Sequence, residues 1–244
     1  MKRTLKSGIF SAAIVTATML SFDAFSQAPA APKTETMSPE ARIKSDAGMD
    51  AKADEWVKSL SLNDAAKESR LKQLISNHLK TTRDWHNEHP YTTVPAGINP
   101  VTGTKLSNLD RQVIANSAMP VSIHQDLMSG LRKDLSEEQV ELILDKYTIG
   151  KVAFTMKGYQ AIVPNITAEE EATILKFLKQ AREQAIDFKN MEQISAIFEI
   201  YKTKSEQYLN SNGRNWKQMY KDYTNMVKAK KAADAAAAAE KKNK

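Results

Sequence analysis

Apolar residues recur at the spacing of one helix face along most of this chain, and that periodicity constrains its fold more than any other feature of the sequence. The clearest stretch ends at His89, where Leu71, Leu74, Ile75 and Leu79 follow the i, i+3, i+4 pattern. The chain has only 8 glycines and 8 prolines in 244 residues, which is too few for the many tight turns of a sandwich or a barrel. We therefore predict an all-α fold, a single multi-helix domain of about eight helices.

Short polar motifs predict where these helices begin. Four Ser or Thr residues stand three positions before a residue that can complete a capping box, in which each side chain bonds the backbone N–H of the other. The pairs are Ser107 with Asp110, Ser122 with Gln125, Ser136 with Gln139, and Thr167 with Glu170. Gly150 is expected just past a helix end. Val152, Phe154 and Met156 then alternate as in a strand, whereas Tyr159, Ile162 and Val163 have the spacing of a helix. This pattern predicts a short extended segment near residues 151–156 that leads into a short helix.

The first 26 residues have the pattern of a secretory signal peptide. A basic start precedes an uncharged, mostly apolar run over residues 8–20, which is shorter than the roughly 20 residues needed to cross a bilayer. Small residues at Ala24 and Ser26 predict cleavage before Gln27. We therefore expect an exported protein, in the bacterial periplasm or outside the cell, whose mature chain has no membrane span. Because the chain contains no cysteine, it must fold without a disulfide.

Composition divides the remainder into three parts. Residues 27–46 are rich in Ala, Pro, Ser and Thr and are predicted to form a flexible linker. Residues 47–227 carry the helical periodicity and form the helical domain, and residues 228–244 form a basic tail rich in Ala and Lys. Of the formal net charge of +6, two charges lie in residues 1–26 and four in the tail. The helical domain is therefore about neutral, which argues against nucleic-acid binding.

One cluster of side chains is a candidate ligand site, because it lies at a helix end beside the longest loop. That loop, residues 90–106, contains three prolines and two glycines, and long loops in compact domains are often functional. A sugar site needs an aromatic platform with hydrogen-bonding groups around it. The candidate binding residues are Trp85, His86, Glu88, His89, Tyr91 and Asn99. The alternative is that Trp85 and Tyr91 belong to the core and hold the loop in place.

Metal binding and catalysis have less support in the sequence. His86 and His89 are neighbours on a helix, but the spacing differs from the His-Glu-x-x-His of a zinc site. His78 lies on the apolar stripe and is expected to be a hydrogen-bonded core histidine. Acidic residues such as Glu183 and Asp187 are expected on solvated helix faces, and no Gly-rich phosphate loop or Gly-x-Ser-x-Gly motif occurs. We therefore predict no metal, no cofactor and no catalytic residues.

A longer pattern, clearest between residues 147 and 213, resembles a known family. Its residues are Tyr147, Thr148, Gly150, Lys151, Val152, Phe154, Thr155, Tyr159, Val163, Pro164, Ile166, Thr167, Glu169, Glu170, Ala181, Arg182, Glu183, Ala185, Ile186, Asp187, Ile197, Phe198, Tyr201, Lys202, Tyr208, Leu209 and Gly213. This pattern is similar to a family of exported bacterial proteins catalogued as a domain of unknown function, and the resemblance spans about residues 50–227. It implies an exported α-helical domain. Members are often encoded near enzymes that degrade plant polysaccharides, so it also implies a link to carbohydrates, but it transfers no catalytic residue.

Together these observations predict an exported helical binding or accessory protein with an unidentified ligand. The resemblance adds a link to polysaccharide use, which makes a carbohydrate the expected class of ligand. Two alternatives remain open. The acidic helix starts near residues 62, 135 and 166 resemble those of small periplasmic helical stress chaperones, which would give the protein a protein partner. The other alternative is a carbohydrate-active enzyme with its site at residues 84–99. If the candidate residues bind nothing, we expect the site around residues 147–159.

Overall fold

The computed structural model of the chain describes residues 36–100 and 102–242, and these residues are all-α. The helices are α1 (Pro39–Lys58), α2 (Ala65–Glu88), α3 (Asn108–Asn116), α4 (Val121–Asp134), α5 (Glu137–Tyr147), α6 (Lys151–Ile162), α7 (Ala168–Ala185), α8 (Met191–Ser211) and α9 (Trp216–Lys242), with a 3-10 turn over Tyr91–Thr93. In this part of the chain the nearest approach to a sheet is a single bridge between Ile98 and Lys105. The all-α prediction is confirmed. The predicted signal peptide lies outside the described residues.

Most of the predicted helix starts are confirmed. Reciprocal capping boxes are present at Ser107, Ser136 and Thr167, because each depends only on residues within one turn. The prediction at Ser122 was wrong. A cap at Ser122 would start the helix at Ile123, but α4 starts two residues earlier, at Val121 directly after Pro120, and its first turn has no side-chain cap.

Residues 151–156 are helical, so the predicted extended segment was wrong. Val152, Met156 and Tyr159 are buried at i, i+4 and i+7 of α6, whereas Phe154 is 79% exposed. The alternation arises because Val152 and Met156 lie four residues apart on the buried face of α6, while Phe154, between them, points to the solvent. Gly150, with φ of +64°, allows the sharp change of direction between α5 and α6.

Helix α1 begins earlier than the predicted boundary between the linker and the domain. The side chain of Ser38 accepts a hydrogen bond from the backbone N–H of Ala41 at 3.2 Å, and Pro39 occupies the first turn. Proline is favoured at this position because the N–H that it lacks has no partner within the helix. Residues 39–46, which were assigned to the flexible linker, are therefore helical.

Two apolar clusters hold the helices together. The first joins α1, α2, α4 and α5 around fully buried residues such as Leu71, Ile75 and Ile143. The second joins α6, α7 and α8 around Ile174 and Ile197, with Trp216 of α9 packed against it. Each fully buried Leu or Ile contributes roughly 1.5–3 kcal/mol to the free energy of unfolding.

Helix α9 has a packed start and an exposed end. Trp216 and Met219 contact the second cluster, whereas every described side chain beyond Val227 is exposed. The tail is thus helical as far as Lys242, and those of its side chains that the structure describes form no buried face. Among residues 36–100 and 102–242, the helices are all too short or too polar to span a lipid bilayer.

Candidate functional site

The predicted binding residues are divided between the interior and the surface. Trp85 is buried, and its ring stacks on His89 with the ring centroids 4.2 Å apart. His86 is fully buried, and both of its ring nitrogens have partners. Its Nε2 lies 2.8 Å from the carbonyl oxygen of Asp187, and its Nδ1 lies 3.1 Å from Nε2 of Gln112. His86 is therefore a core residue with neither ring nitrogen free to bind a ligand.

The other members of the set lie nearer the solvent. Glu88 is exposed, and Tyr91 is half-buried below the guanidinium of Arg111, whose central carbon lies 5.2 Å from the ring centroid. Asn99 organises the loop, since its side-chain oxygen accepts from the N–H of Thr102 at 3.3 Å. Within the described part of the chain, no group of three or more His, Cys, Asp or Glu side chains is arranged to hold a metal ion. Ligand binding by this set stays a prediction.

Three of the four histidines instead converge on Asp187, in the connection between α7 and α8. The carboxylate of Asp187 lies 3.1 Å from Nε2 of His78 and 2.8 Å from Nδ1 of His124, and its backbone oxygen is the partner of His86. The hydroxyl of Tyr147 lies 3.2 Å from Nδ1 of His78. We call these five residues the His–Asp network. The prediction that His78 is a hydrogen-bonded core residue is confirmed.

The prediction for Asp187 was wrong, because its side chain is only 15% exposed. Burial alone would raise the pKa of this carboxyl, but hydrogen bonds from His124 and His78 hold it below its usual value. The same bond to Asp187 raises the pKa of His124. Burial lowers the pKa of His86 and raises that of Tyr147. The network therefore carries an ionised carboxylate at its centre.

The geometry of the His–Asp network fits a structural role. It ties α2, α4 and α5 to the connection between α7 and α8. Only His124 approaches the solvent, with a side chain that is 27% exposed and Nε2 3.8 Å from the carboxylate of Glu183. No Ser, Thr or Tyr hydroxyl is bonded to His124 among the described residues. The hydroxyl that is bonded to His78 belongs to Tyr147, a buried side chain whose pKa is raised by burial, so neither histidine is paired with an accessible nucleophile.

A second region has the form of a binding site. An open groove of about 700 Å³ lies between α6, α8 and α9, and we call it the aromatic groove. Its aromatic lining residues are Phe154, Tyr159, Phe198, Trp216, Tyr220 and Tyr223. The rings of Tyr159 and Trp216 lie 5.3 Å apart, and those of Trp216 and Tyr220 lie 5.9 Å apart. Tyr220 is 53% exposed, so the ring row continues to the solvent.

Polar side chains stand beside these rings. Lys202 bonds Glu199 at 2.9 Å, and its backbone oxygen accepts from the hydroxyl of Tyr159 at 3.1 Å. Glu206 is half-buried, and in the described part of the chain its carboxylate has neither an ion pair nor a hydrogen bond. Desolvation therefore raises its pKa. Lys151 lies over the ring of Phe198 at 5.7 Å. The groove thus offers hydrogen-bond donors and acceptors next to ring faces.

The members of this groove are not among the candidate binding residues predicted from the sequence. Trp216, Tyr220 and Tyr223 lie at the start of α9. Their i, i+4, i+7 spacing places all three rings on one face of α9, and this spacing is the sequence signal that could have predicted one side of the groove. The opposite side of the groove, on α6, could not be predicted, because residues 151–156 were expected to be extended and not helical.

Comparison with known proteins places the chain in a family. A family model described as a protein of unknown function, DUF3826, matches residues 47–229. A search among curated proteins found no match. The match covers well over half of the chain and coincides with the helical region that carries both the His–Asp network and the aromatic groove. The chain therefore belongs to the DUF3826 family of proteins of unknown function.

Proposed function

We propose that this protein is an exported saccharide-binding accessory protein, and that the aromatic groove is its binding site. The observation that carries the proposal is the set of accessible rings in the groove, Trp216 and Tyr220 on α9 and Phe154 on α6, with the buried ring of Tyr159 packed against Trp216. Export and the link to carbohydrates are the expectations drawn from the N-terminal sequence and from the family resemblance.

The rings suit the apolar faces of sugar rings. Phe154 is 79% exposed on α6, so most of its ring surface is in contact with water. Covering a large apolar side chain is worth roughly 1.5–3 kcal/mol when its whole surface leaves water. A ligand that lies between Phe154 and Tyr220 would gain part of that free energy.

The polar lining suits sugar hydroxyls. Each hydroxyl both donates and accepts a hydrogen bond. Glu206 supplies an acceptor without a partner among the described residues, and Lys157 supplies an exposed donor on the other wall. The volume of about 700 Å³ falls within the range of known small-molecule sites, about 300–1,000 Å³.

A glycan array followed by calorimetry tests this proposal. The wild-type protein is first screened for a ligand, and its affinity is then compared with that of Tyr220→Ala and Tyr91→Ala. Tyr220 lies in the aromatic groove, whereas Tyr91 belongs to the set predicted from the sequence, so the two substitutions are chemically matched. We expect Tyr220→Ala to weaken binding about five- to tenfold and Tyr91→Ala to leave it unchanged.

Both variants should remain folded, because Tyr220 is largely exposed and Tyr91 is half-exposed. Circular dichroism verifies this before binding is compared. If Tyr91→Ala loses the ligand and Tyr220→Ala keeps it, the site lies at residues 85–99 instead. If no saccharide binds the wild-type protein, the proposed function is wrong.

A further inference from the structure

A separate groove lies on another part of the surface, between α1, α5 and the start of α8. Its volume is about 680 Å³, and we call it the α1–α5 groove. Its walls are mostly apolar. The ring of Trp56 packs against Tyr147 with the centroids 4.8 Å apart, and Phe188 and Ile194 are buried below them.

Three large apolar side chains remain exposed at the edge of the α1–α5 groove. They are Leu142, Ile149 and Met191. Ile149 is 71% exposed and has φ of +54°, in the left-handed region that β-branched residues rarely adopt. Strained backbone of this kind is concentrated at binding and functional sites. Since Ile149 buries little of its own surface, its conformation gains little from packing within the chain.

The charges on the α1–α5 groove are unequal. Lys52, Lys146 and Lys189 line it, and Lys189 also donates to the side chain of Asn87 at 2.9 Å. Two acidic residues also line it. Asp145 is bound to Arg182 at 2.6 Å, which neutralises it and leaves Glu55 as the remaining carboxylate. Lys52 and Lys146 have no ion pair within the described residues, so the groove has an excess of positive charge.

We propose that the α1–α5 groove binds an alkyl carboxylate, such as a fatty acid. The hydrocarbon chain lies along Trp56, Leu142 and Ile149, where it covers the exposed apolar edge. The carboxylate lies at Lys52 and Lys146, where it meets the excess positive charge. A groove of about 680 Å³ has the size of known small-molecule sites. The site is distinct from the aromatic groove, which shares none of its lining residues.

Calorimetry with two ligands of equal chain length tests the proposal. Decanoate and 1-decanol differ in the charged head, so their comparison isolates the role of the lysines. We expect decanoate to bind at least tenfold more tightly than 1-decanol. The double variant Lys52→Gln/Lys146→Gln should lose that preference, while Lys133→Gln/Lys176→Gln, which removes two exposed lysines elsewhere, should keep it. Ile149→Asp should weaken the binding of both ligands.

Three results would overturn the proposal. The first is no binding of decanoate by the wild-type protein. The second is equal binding of the two ligands with no effect of the Lys52→Gln/Lys146→Gln substitution. The third concerns a second copy of the chain as the occupant. If sedimentation velocity shows a reversible dimer that Ile149→Asp dissociates and decanoate does not, the α1–α5 groove is a protein interface.

Discussion

Asp187 differs most from what its sequence context predicts, because it is buried and not solvated. It follows α7 among charged neighbours, a context typical of a solvated side chain, yet its carboxylate binds His78 and His124. These partners lie 109 and 63 positions away along the chain. An ionised group in such a position is stable only because both carboxylate oxygens have partners. The residue therefore serves as a tie between helices.

The stabilising effect of His124 should depend on pH. Asp187 raises the folded pKa of His124 above its ordinary value of 6.5, so the contribution of His124 is full below about pH 6.5 and is lost as the pH rises through the folded pKa. We expect His124→Gln to cost about 1.5 kcal/mol at pH 5.5 and much less at pH 9. Urea unfolding of both proteins over this range measures the difference.

The difference in unfolding free energy between wild type and His124→Gln does not contain the opposite pH dependence of His86, because His86 is present in both proteins. Burial lowers the pKa of His86, so its protonation in the unfolded chain destabilises both proteins equally below about pH 6.5. His89→Gln is a control, because among the described residues the ring of His89 bonds the backbone oxygen of Trp85 and makes no hydrogen bond to Asp187. A gap between wild type and His124→Gln that stays constant or widens with pH would contradict the role of the His124–Asp187 bond.

At the scale of elements, one ion pair anchors the start of α9. Arg214 makes two bonds of 2.8 Å to the carboxylate of Glu170, in the first turn of α7, and also donates to the carbonyl oxygens of Pro164 and Asn165. Glu170 completes the capping box of α7, and its pKa is lowered to about 2, chiefly by Arg214. The Glu170–Arg214 pair thus connects the helix that carries Trp216 to the rest of the fold.

Glu170→Gln separates the two roles of this side chain. Glutamine can complete a capping box but carries no charge, so the variant should lose only the ion pair. We expect a loss of stability at pH 7 larger than the ~0.5 kcal/mol of an ordinary surface substitution. Because the folded pKa is lowered from 4.5 to about 2, the wild-type advantage should be full above pH 4.5 and disappear as the pH falls toward 2. Urea titrations at several pH values measure it, and equal stability at pH 7 would refute the anchor.

The end of α9 should be dispensable for folding. Removing residues 228–244 should change the melting temperature by no more than about 2 °C, because the described side chains of this segment are exposed. Truncation from residue 216 is the contrasting case, since it also removes Trp216 from its contact with Tyr159. A drop of many degrees on removing the tail alone would mean that the tail docks on the body of the protein.

At the scale of the whole molecule, the sequence predicted what local chemistry determines. The capping boxes at Ser107, Ser136 and Thr167 involve residues three positions apart, so they need no knowledge of the fold. The helix period likewise identified Leu71 and Ile75 as core. Helix α6 was missed because Val152 and Met156 satisfy both a period of two and a spacing of four.

The sites could not be predicted in the same way, because they depend on which helices meet. Trp216 and Tyr159 come together across 57 positions, and neither has a local motif that signals the other. The cluster around Trp85 was conspicuous because its aromatic and polar residues are adjacent in sequence. On helix α2, however, these neighbours in sequence point in different directions, with His86 in the interior and Glu88 on the surface.

The three tryptophans of the chain allow a single spectrum to test the central claim that the aromatic groove binds saccharide. Trp216 lies in the aromatic groove, Trp85 in the set predicted from the sequence, and Trp56 in the α1–α5 groove. Labelling with 5-fluorotryptophan gives one ¹⁹F resonance for each, assigned by Trp→Phe variants. Saturation with the saccharide found on the array should shift the resonance of Trp216 and leave those of Trp85 and Trp56 in place. A shift confined to Trp85, or an unchanged Trp216 resonance at saturation, would contradict the assignment of the binding site.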